Sequence, residues 1–179
     1  KPGHSVGFLD FDEDDLAKTI VTGGCLCGSV RYEIHAPAIS TGYCHCNCCR
    51  KFSGSAVNAW TAFPASSVCF LKDKPSYFAS SPIAIRGFCS KCGASLTYKL
   101  VRPRETAFLV LHTSSLDEPD QYPPSIHSGI ESKLSWFDIL DDLPRTRSAE
   151  SRVLQEAWSS VGLPDPKTWG PLAALPSAF

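Results

Sequence analysis

Apolar and polar positions alternate in short runs from Gly23 to about Arg147, with turns between them. Gly28-Ser29-Val30-Arg31-Tyr32-Glu33-Ile34 has period two, which puts Val30, Tyr32 and Ile34 on one face of a strand. Ala94 to Leu100 is equally rich in strand formers. Thr106 to Thr113 contains the near-continuous apolar run Ala107-Phe108-Leu109-Val110-Leu111. The 14 prolines and 12 glycines of the chain punctuate these runs and deny this part any long helix. The pattern predicts a mainly β body.

After Arg147 the period changes. Ala149, Val153, Leu154, Ala157, Trp158 and Val161 recur at helical spacing, Ser148 stands where an N-cap belongs, and Gly162 and Pro164 supply the stop. The apolar stripe of this helix is expected to lie on the β body or on a second subunit, so a homodimer is one expectation. Leu163 to Phe179 holds four prolines and reads as an extended strap or mobile end. Residues 1–22 read as an acidic leader, with Asp10, Asp12, Glu13, Asp14 and Asp15 close together. The expected organisation is a leader over 1–22, a β domain over 23–147 and an extension over 148–179.

Charge narrows the partners. Lys and Arg total 17 against 18 Asp and Glu, a formal net charge of −1. That balance lacks the footprint of a nucleic-acid binder or a polybasic membrane protein. No run approaches the ~20 apolar residues of a membrane span, and the N-terminal residues contain no secretory apolar core. The expected compartment is the cytoplasm. The chain contains no Met, so its natural start is expected upstream.

At 179 residues and 43% apolar content the chain can bury a core without disulfide staples, yet it carries nine cysteines. An odd number, with Cys48 and Cys49 adjacent, argues for metal-binding thiolates in a reducing compartment. Eight of the nine fall into three groups: Cys25-Leu26-Cys27, Cys44-His45-Cys46-Asn47-Cys48-Cys49, and Cys89-Ser90-Lys91-Cys92. The outer groups are each followed by glycine, Gly28 and Gly93, as in a zinc knuckle. Together Cys25, Cys27, Cys89 and Cys92 make one closed tetrahedral site, structural rather than catalytic. Two disulfides or an iron–sulfur cluster are the alternatives. In the middle group Cys44, Cys46 and Cys49 form C-x-C-x-x-C, three ligands that leave zinc a position for water or substrate. The alternative there is a second structural site completed by Cys69 or a histidine. Cys48 and His45, as neighbours of ligands, are expected to point elsewhere.

Three strings resemble a known family, the glutathione-dependent formaldehyde-activating enzymes, which includes centromere protein V. They are Gly23-Gly24-Cys25-Leu26-Cys27-Gly28-Ser29-Val30-Arg31-Tyr32-Glu33, Cys44-His45-Cys46-Asn47-Cys48-Cys49-Arg50-Lys51 followed by Gly54, and Phe88-Cys89-Ser90-Lys91-Cys92-Gly93. Leu116-Asp117-Glu118-Pro119 and Ser132-Lys133-Leu134-Ser135-Trp136-Phe137, with Leu143-Pro144, fit its later blocks. The resemblance runs from about Gly23 to Arg147. It implies an Mss4-like fold of coiled antiparallel sheets and two zinc ions per chain. The structural zinc would fall on Cys25, Cys27, Cys89 and Cys92, and the catalytic zinc on Cys44, Cys46 and Cys49. It also implies a carbon–sulfur lyase reaction that joins glutathione to formaldehyde. Cys48 and the extension from Ser148 depart from the family pattern.

The expected function is therefore a zinc-dependent lyase acting on a thiol adduct of a small carbonyl compound, with glutathione as one thiol. Arg50 and Lys51 are candidates to hold a substrate carboxylate, and Asn58 and Trp60 to line the pocket. His112 and His127 are candidates for proton transfer. A non-catalytic zinc scaffold and a lyase specialised for another metabolite are the rival expectations.

Overall fold

The computed structural model describes residues 20–102 and 107–162. Its strands, in chain order, are β1 (Val21–Gly24), β2 (Arg31–Ile34), β3 (Ser40–Cys44), β4 (Asn58–Pro64), β5 (Val68–Phe70), β6 (Ser76–Ser81), β7 (Ala84–Phe88), β8 (Ser95–Leu100), β9 (Phe108–His112), β10 (His127–Ser128) and β11 (Arg145–Thr146). Two helices accompany them, α1 (Asn47–Ser53) and α2 (Arg152–Ser160). A three-stranded sheet runs β1-β2-β5, and an eight-stranded sheet runs β11-β10-β3-β4-β9-β8-β7-β6. The mainly β architecture expected from the alternation is the one the chain adopts. Its pairings are antiparallel except at β10, which joins β3 and β11 in parallel. Pairing over two residues is too short to leave a periodic mark in the sequence.

The alternation decides which residues face inward. Val30, Tyr32 and Ile34 are all buried, as their common parity requires. Tyr32 and Ile34 meet Phe63, Leu109 and Leu111 from one face of the large sheet, with Val21 and Leu116 completing the core. Burying side chains of this size contributes about 1.5–3 kcal/mol each. This core leaves the opposite face of the large sheet for α1 and α2.

The C-terminal helix begins later than its sequence pattern suggests. Ser151, not Ser148, is the N-cap, its hydroxyl accepting from the Leu154 N–H at 3.4 Å. Ser148 instead opens a single 3₁₀ turn whose Glu150 carboxylate accepts the Arg147 N–H at 2.6 Å. The Glu131 carboxylate, meanwhile, accepts the Ser148 N–H. These bonds hold the chain in a separate turn before α2. Ala157 and Trp158 are buried against Ile83, Ala84 and Leu100, with Leu154, Val161 and Tyr98 at the margin. The stripe thus lies on the body of its own chain, while Val153 stays exposed. Trp158→Ala is expected to cost about 3–5 kcal/mol, read as a lowered urea midpoint with both cysteine groups still metal-loaded.

Val21 and Thr22, placed with the leader on sequence, are the first residues of β1. The acidic run Asp10 to Asp15 and the stretch Leu163 to Phe179 lie outside the described residues.

Candidate metal centres

The first cysteine group is built from two knuckles. Gly28 and Gly93 have φ of +72° and +73°, a region a side chain disfavours. Each glycine turns the chain back. The Gly28 N–H donates to the Cys25 carbonyl at 3.0 Å and the Gly93 N–H to the Cys89 carbonyl at 2.8 Å. The Val30 N–H donates to Cys25 Sγ at 3.2 Å. The sulfurs of Cys25, Cys27, Cys89 and Cys92 all lie within 4.8 Å of one another. Cys25 and Cys27 are 3.5 Å apart and Cys27 and Cys89 3.8 Å. Ligands ~2.3 Å from a tetrahedral zinc sit roughly 3.8 Å from each other, so the donor set fits a closed four-thiolate ion. Cys25 and Cys89 are buried among Val30 and Leu96.

The second group depends on α1, a helix that proline and glycine counts give no hint of. Cys46 is its N-cap, with Sγ accepting from the Cys49 N–H at 3.4 Å. One helical turn brings Cys46 and Cys49 to the same side, and Cys44 reaches them from the end of β3. The three sulfurs lie within 4.8 Å of one another, and among the described residues no fourth Cys, His, Asp or Glu joins them. Cys69 is exposed on β5, opposite Glu33. This donor set fits an ion with one position left open.

The three sulfurs hold their protons unequally. Cys49 is held well below the usual thiol range because Cys44 and then Cys46 donate to its sulfur. Cys46 is pushed well above that range by its bonds to Cys44 and Cys49. Cys44 is also raised: its bond to Cys46 acts downward, but the bond to Cys49 and burial outweigh it. Cys49 is the sulfur of the three that ionises most readily, and without metal Cys44 and Cys46 keep their protons at neutral pH. A dication must displace both, so its affinity falls as pH falls. We expect about two protons released per ion and about a 100-fold weaker apparent affinity per pH unit lowered. Cobalt(II) titration of this site in buffers of different ionisation heat measures both.

Strand register assembles the surroundings, because cross-strand partners project to the same face. Asn58 lies opposite Cys44, and Trp60 opposite both Gly42 and His112. Further along, Val110 faces Tyr98, Tyr98 faces Arg86, and Arg86 faces Phe78. Helix α1 lies over this face. Its Phe52 ring meets Phe78 at 5.8 Å and His112 at 5.6 Å between centroids, and Arg86 lies 5.5 Å from its centre. Arg86 Nη2 reaches Cys49 Sγ at 3.6 Å.

The sequence candidates divide accordingly. Cys44, Cys46 and Cys49 come together, and Asn58 and Trp60 share their sheet face. Arg50 is half-buried and donates from Nε to the His45 carbonyl at 3.1 Å, while Lys51 is exposed. Cys48 stays out of the trio and lies near Arg86; burial raises its thiol and the arginine opposes the shift. Burial lowers His112 to about 4, so it is neutral at pH 7. His127 is elsewhere, buried in a chain that links His45 Nε2 at 2.8 Å to the Asp141 carboxylate at 3.0 Å. Sequence reasoning missed Arg86, Phe52 and Tyr98. The available signal was a lone charge in the apolar stretch Ile83-Ala84-Ile85-Arg86-Gly87-Phe88 just before Cys89. A concavity of about 290 Å³ lined by Val68, Phe70, Tyr77, Ile85, Lys99 and Leu109 includes none of the cysteines.

A family model described as glutathione-dependent formaldehyde-activating enzyme matches residues 20–132, more than half of the chain. The chain belongs to that family. Both cysteine groups and Arg86 lie inside the family segment, whereas α2 lies beyond it. The chain is also similar to an uncharacterized lyase of Schizosaccharomyces pombe. The two are 32% identical over 89 residues, 49% of this chain and 63% of that protein. The match therefore spans less than two thirds of the relative's length. A Rhodobacter sphaeroides protein of known crystal structure aligns with 70% of this chain and 99% of its own. The TM-score is 0.42 and the identity 17%. No helix among the described residues is long and apolar enough to cross a membrane.

Proposed function

We propose that this protein is a zinc-dependent carbon–sulfur lyase that makes and breaks the bond between a thiol and a small carbonyl compound, with glutathione and formaldehyde as the first pair to test. The observation that carries this reading is the three-sulfur group of Cys44, Cys46 and Cys49, which has no fourth donor among the described residues. Family membership and the lyase named above support it.

Cys25, Cys27, Cys89 and Cys92 would hold a structural zinc, and Cys44, Cys46 and Cys49 a second one. When bound, the second ion would supply Lewis acidity, the chemistry that lowers the pKa of a substrate thiol toward the nucleophile an aldehyde addition requires. The chain's own part is to shape the face. Helix α1 fixes the spacing of Cys46 and Cys49, and Asn58 and Trp60 flank Cys44 on the sheet. Phe52 and Phe78 form an aromatic edge on the side of β6. His112, neutral at pH 7, would face the site as an uncharged imidazole.

The test is the interconversion of glutathione and formaldehyde with S-hydroxymethylglutathione, followed by NMR exchange spectroscopy with the zinc-loaded protein. Other thiols and aldehydes are run in parallel. Exchange faster than the uncatalysed rate supports the reading, and its preference among pairs names the substrate. No acceleration with any pair, with two zinc ions bound per chain, overturns it in favour of a scaffold.

A further inference from the structure

Arg86 sits on β7 and is 4% exposed. Its guanidinium carbon lies 4.8 Å from the centre of the Tyr98 ring and 5.5 Å from that of Phe52, so two aromatic faces clamp it. Nη2 points at Cys49 Sγ. Nε and Nη1 are buried with no hydrogen-bond partner. Buried donors are almost always paired, and a charged one left unpaired is costly. A plain counter-charge for the thiolates would not need a fork with two idle arms beside the sulfur trio. Arginine suits an anionic oxygen because it stays charged and offers several N–H groups in one plane.

We propose that Arg86 is the anion-binding group of the open sulfur site, and that in the lyase reaction it takes the oxygen that becomes negative. This rests on the function proposed above. When a thiolate adds to the carbonyl carbon, its lone pair forms the S–C bond. The C=O π pair moves onto oxygen, and the proton lost by the thiol on ionising returns to that oxygen. In the reverse direction the hydroxyl loses its proton, C=O re-forms and the thiolate leaves. Arg86 holds the oxyanion between these states through Nε and Nη1, a contact stronger in the transition state than with a neutral carbonyl. It is a catalytic residue because it touches the reacting oxygen.

The experiment compares Arg86→Gln and Arg86→Lys with the parent in three measurements. Zinc content and near-ultraviolet dichroism report the fold. Binding of formate, by calorimetry, and of 2-mercaptoethanol, by the thiolate-to-metal band of cobalt-substituted protein, separates the oxygen site from the sulfur site. Turnover supplies kcat and the KM for thiol. With Arg86→Gln we expect two zinc ions per chain, unchanged 2-mercaptoethanol binding and formate binding weakened at least ~10-fold. In turnover we expect kcat lowered ~100-fold at constant thiol KM. Arg86→Lys, which keeps the charge but not the fork, recovers part of the loss. It also serves as the folded variant if the glutamine protein does not accumulate, with a kcat ~10-fold below the parent. Formate binding and kcat within about threefold of the parent in a folded variant overturn the proposal. So does loss of the second zinc in both variants, which would make Arg86 a counter-charge for the thiolates. If the parent has no lyase turnover, the formate comparison alone decides for Arg86 while the lyase reading fails.

Discussion

Cys89→Ser is expected to unfold the protein. Cys89 is 1% exposed, one of four sulfurs within 4.8 Å of each other, and its backbone closes a knuckle with Gly93 and Ala94. The site joins the β1–β2 turn to the β7–β8 turn, and these two pairs of strands belong to different sheets. A structural zinc in an isolated finger contributes roughly 10–16 kcal/mol at neutral pH, comparable with or larger than the total stability of a domain this size. Losing one of four thiolates forfeits much of that and leaves a buried hydroxyl facing three sulfurs. The expected result is a chain with little native dichroism at 37 °C and less than one zinc per chain. A strong chelator added to the parent should produce the same state. A Cys89→Ser protein with native dichroism and a urea midpoint near the parent's would show that the knuckles hold without the ion.

Cys46→Ser is the second large effect, and here chemistry is lost while the fold stays. Serine is a good N-cap, so the hydroxyl can replace the thiol as acceptor of the Cys49 N–H and α1 should keep its start. The sulfur trio becomes a pair, which cannot retain a borderline-soft ion against solvent. We expect one zinc per chain instead of two, a urea midpoint close to the parent's and turnover reduced at least ~1000-fold. Two retained zinc ions or near-parental turnover would mean that Cys46 is not a ligand. Contrast with Cys89→Ser is what assigns one site to stability and the other to catalysis.

The grouping of the cysteines was readable from the sequence because sulfurs two or three positions apart can reach one point without help from the rest of the chain, although Cys48, two positions from Cys46, stays out. Val30, Tyr32 and Ile34 were readable for a similar reason, since period two has no other buried solution. The parts that were not readable depend on distant partners. Helix α1 has no apolar stripe of its own and is bounded by the Cys46 cap and by Gly54 at φ +68°. The parallel pairing of His127 with Tyr43, 84 positions apart in sequence (127 − 43), gives neither strand a local signature. The start of α2 moved three residues because Glu131 and Glu150 occupy the N–H groups of Ser148 and Arg147. Arg86 gains its meaning only from β8 and α1, whose rings come to either side of it.

Tyr98 has two neighbours that belong to different parts of the chain. Its ring lies beside Arg86, and it packs against the cluster that Ala157 and Trp158 of α2 form with Ile83, Ala84 and Leu100. The family segment stops at residue 132, twenty positions before α2 begins at Arg152 (152 − 132). A helix beyond the matched segment therefore bears, through that cluster, on the ring beside the guanidinium. Substitutions along Leu154, Ala157, Trp158 and Val161 can tilt Tyr98 and re-aim Arg86 while every cysteine ligand stays where it was. Changes confined to the C-terminal helix thereby have a route to the guanidinium that passes through neither cysteine group.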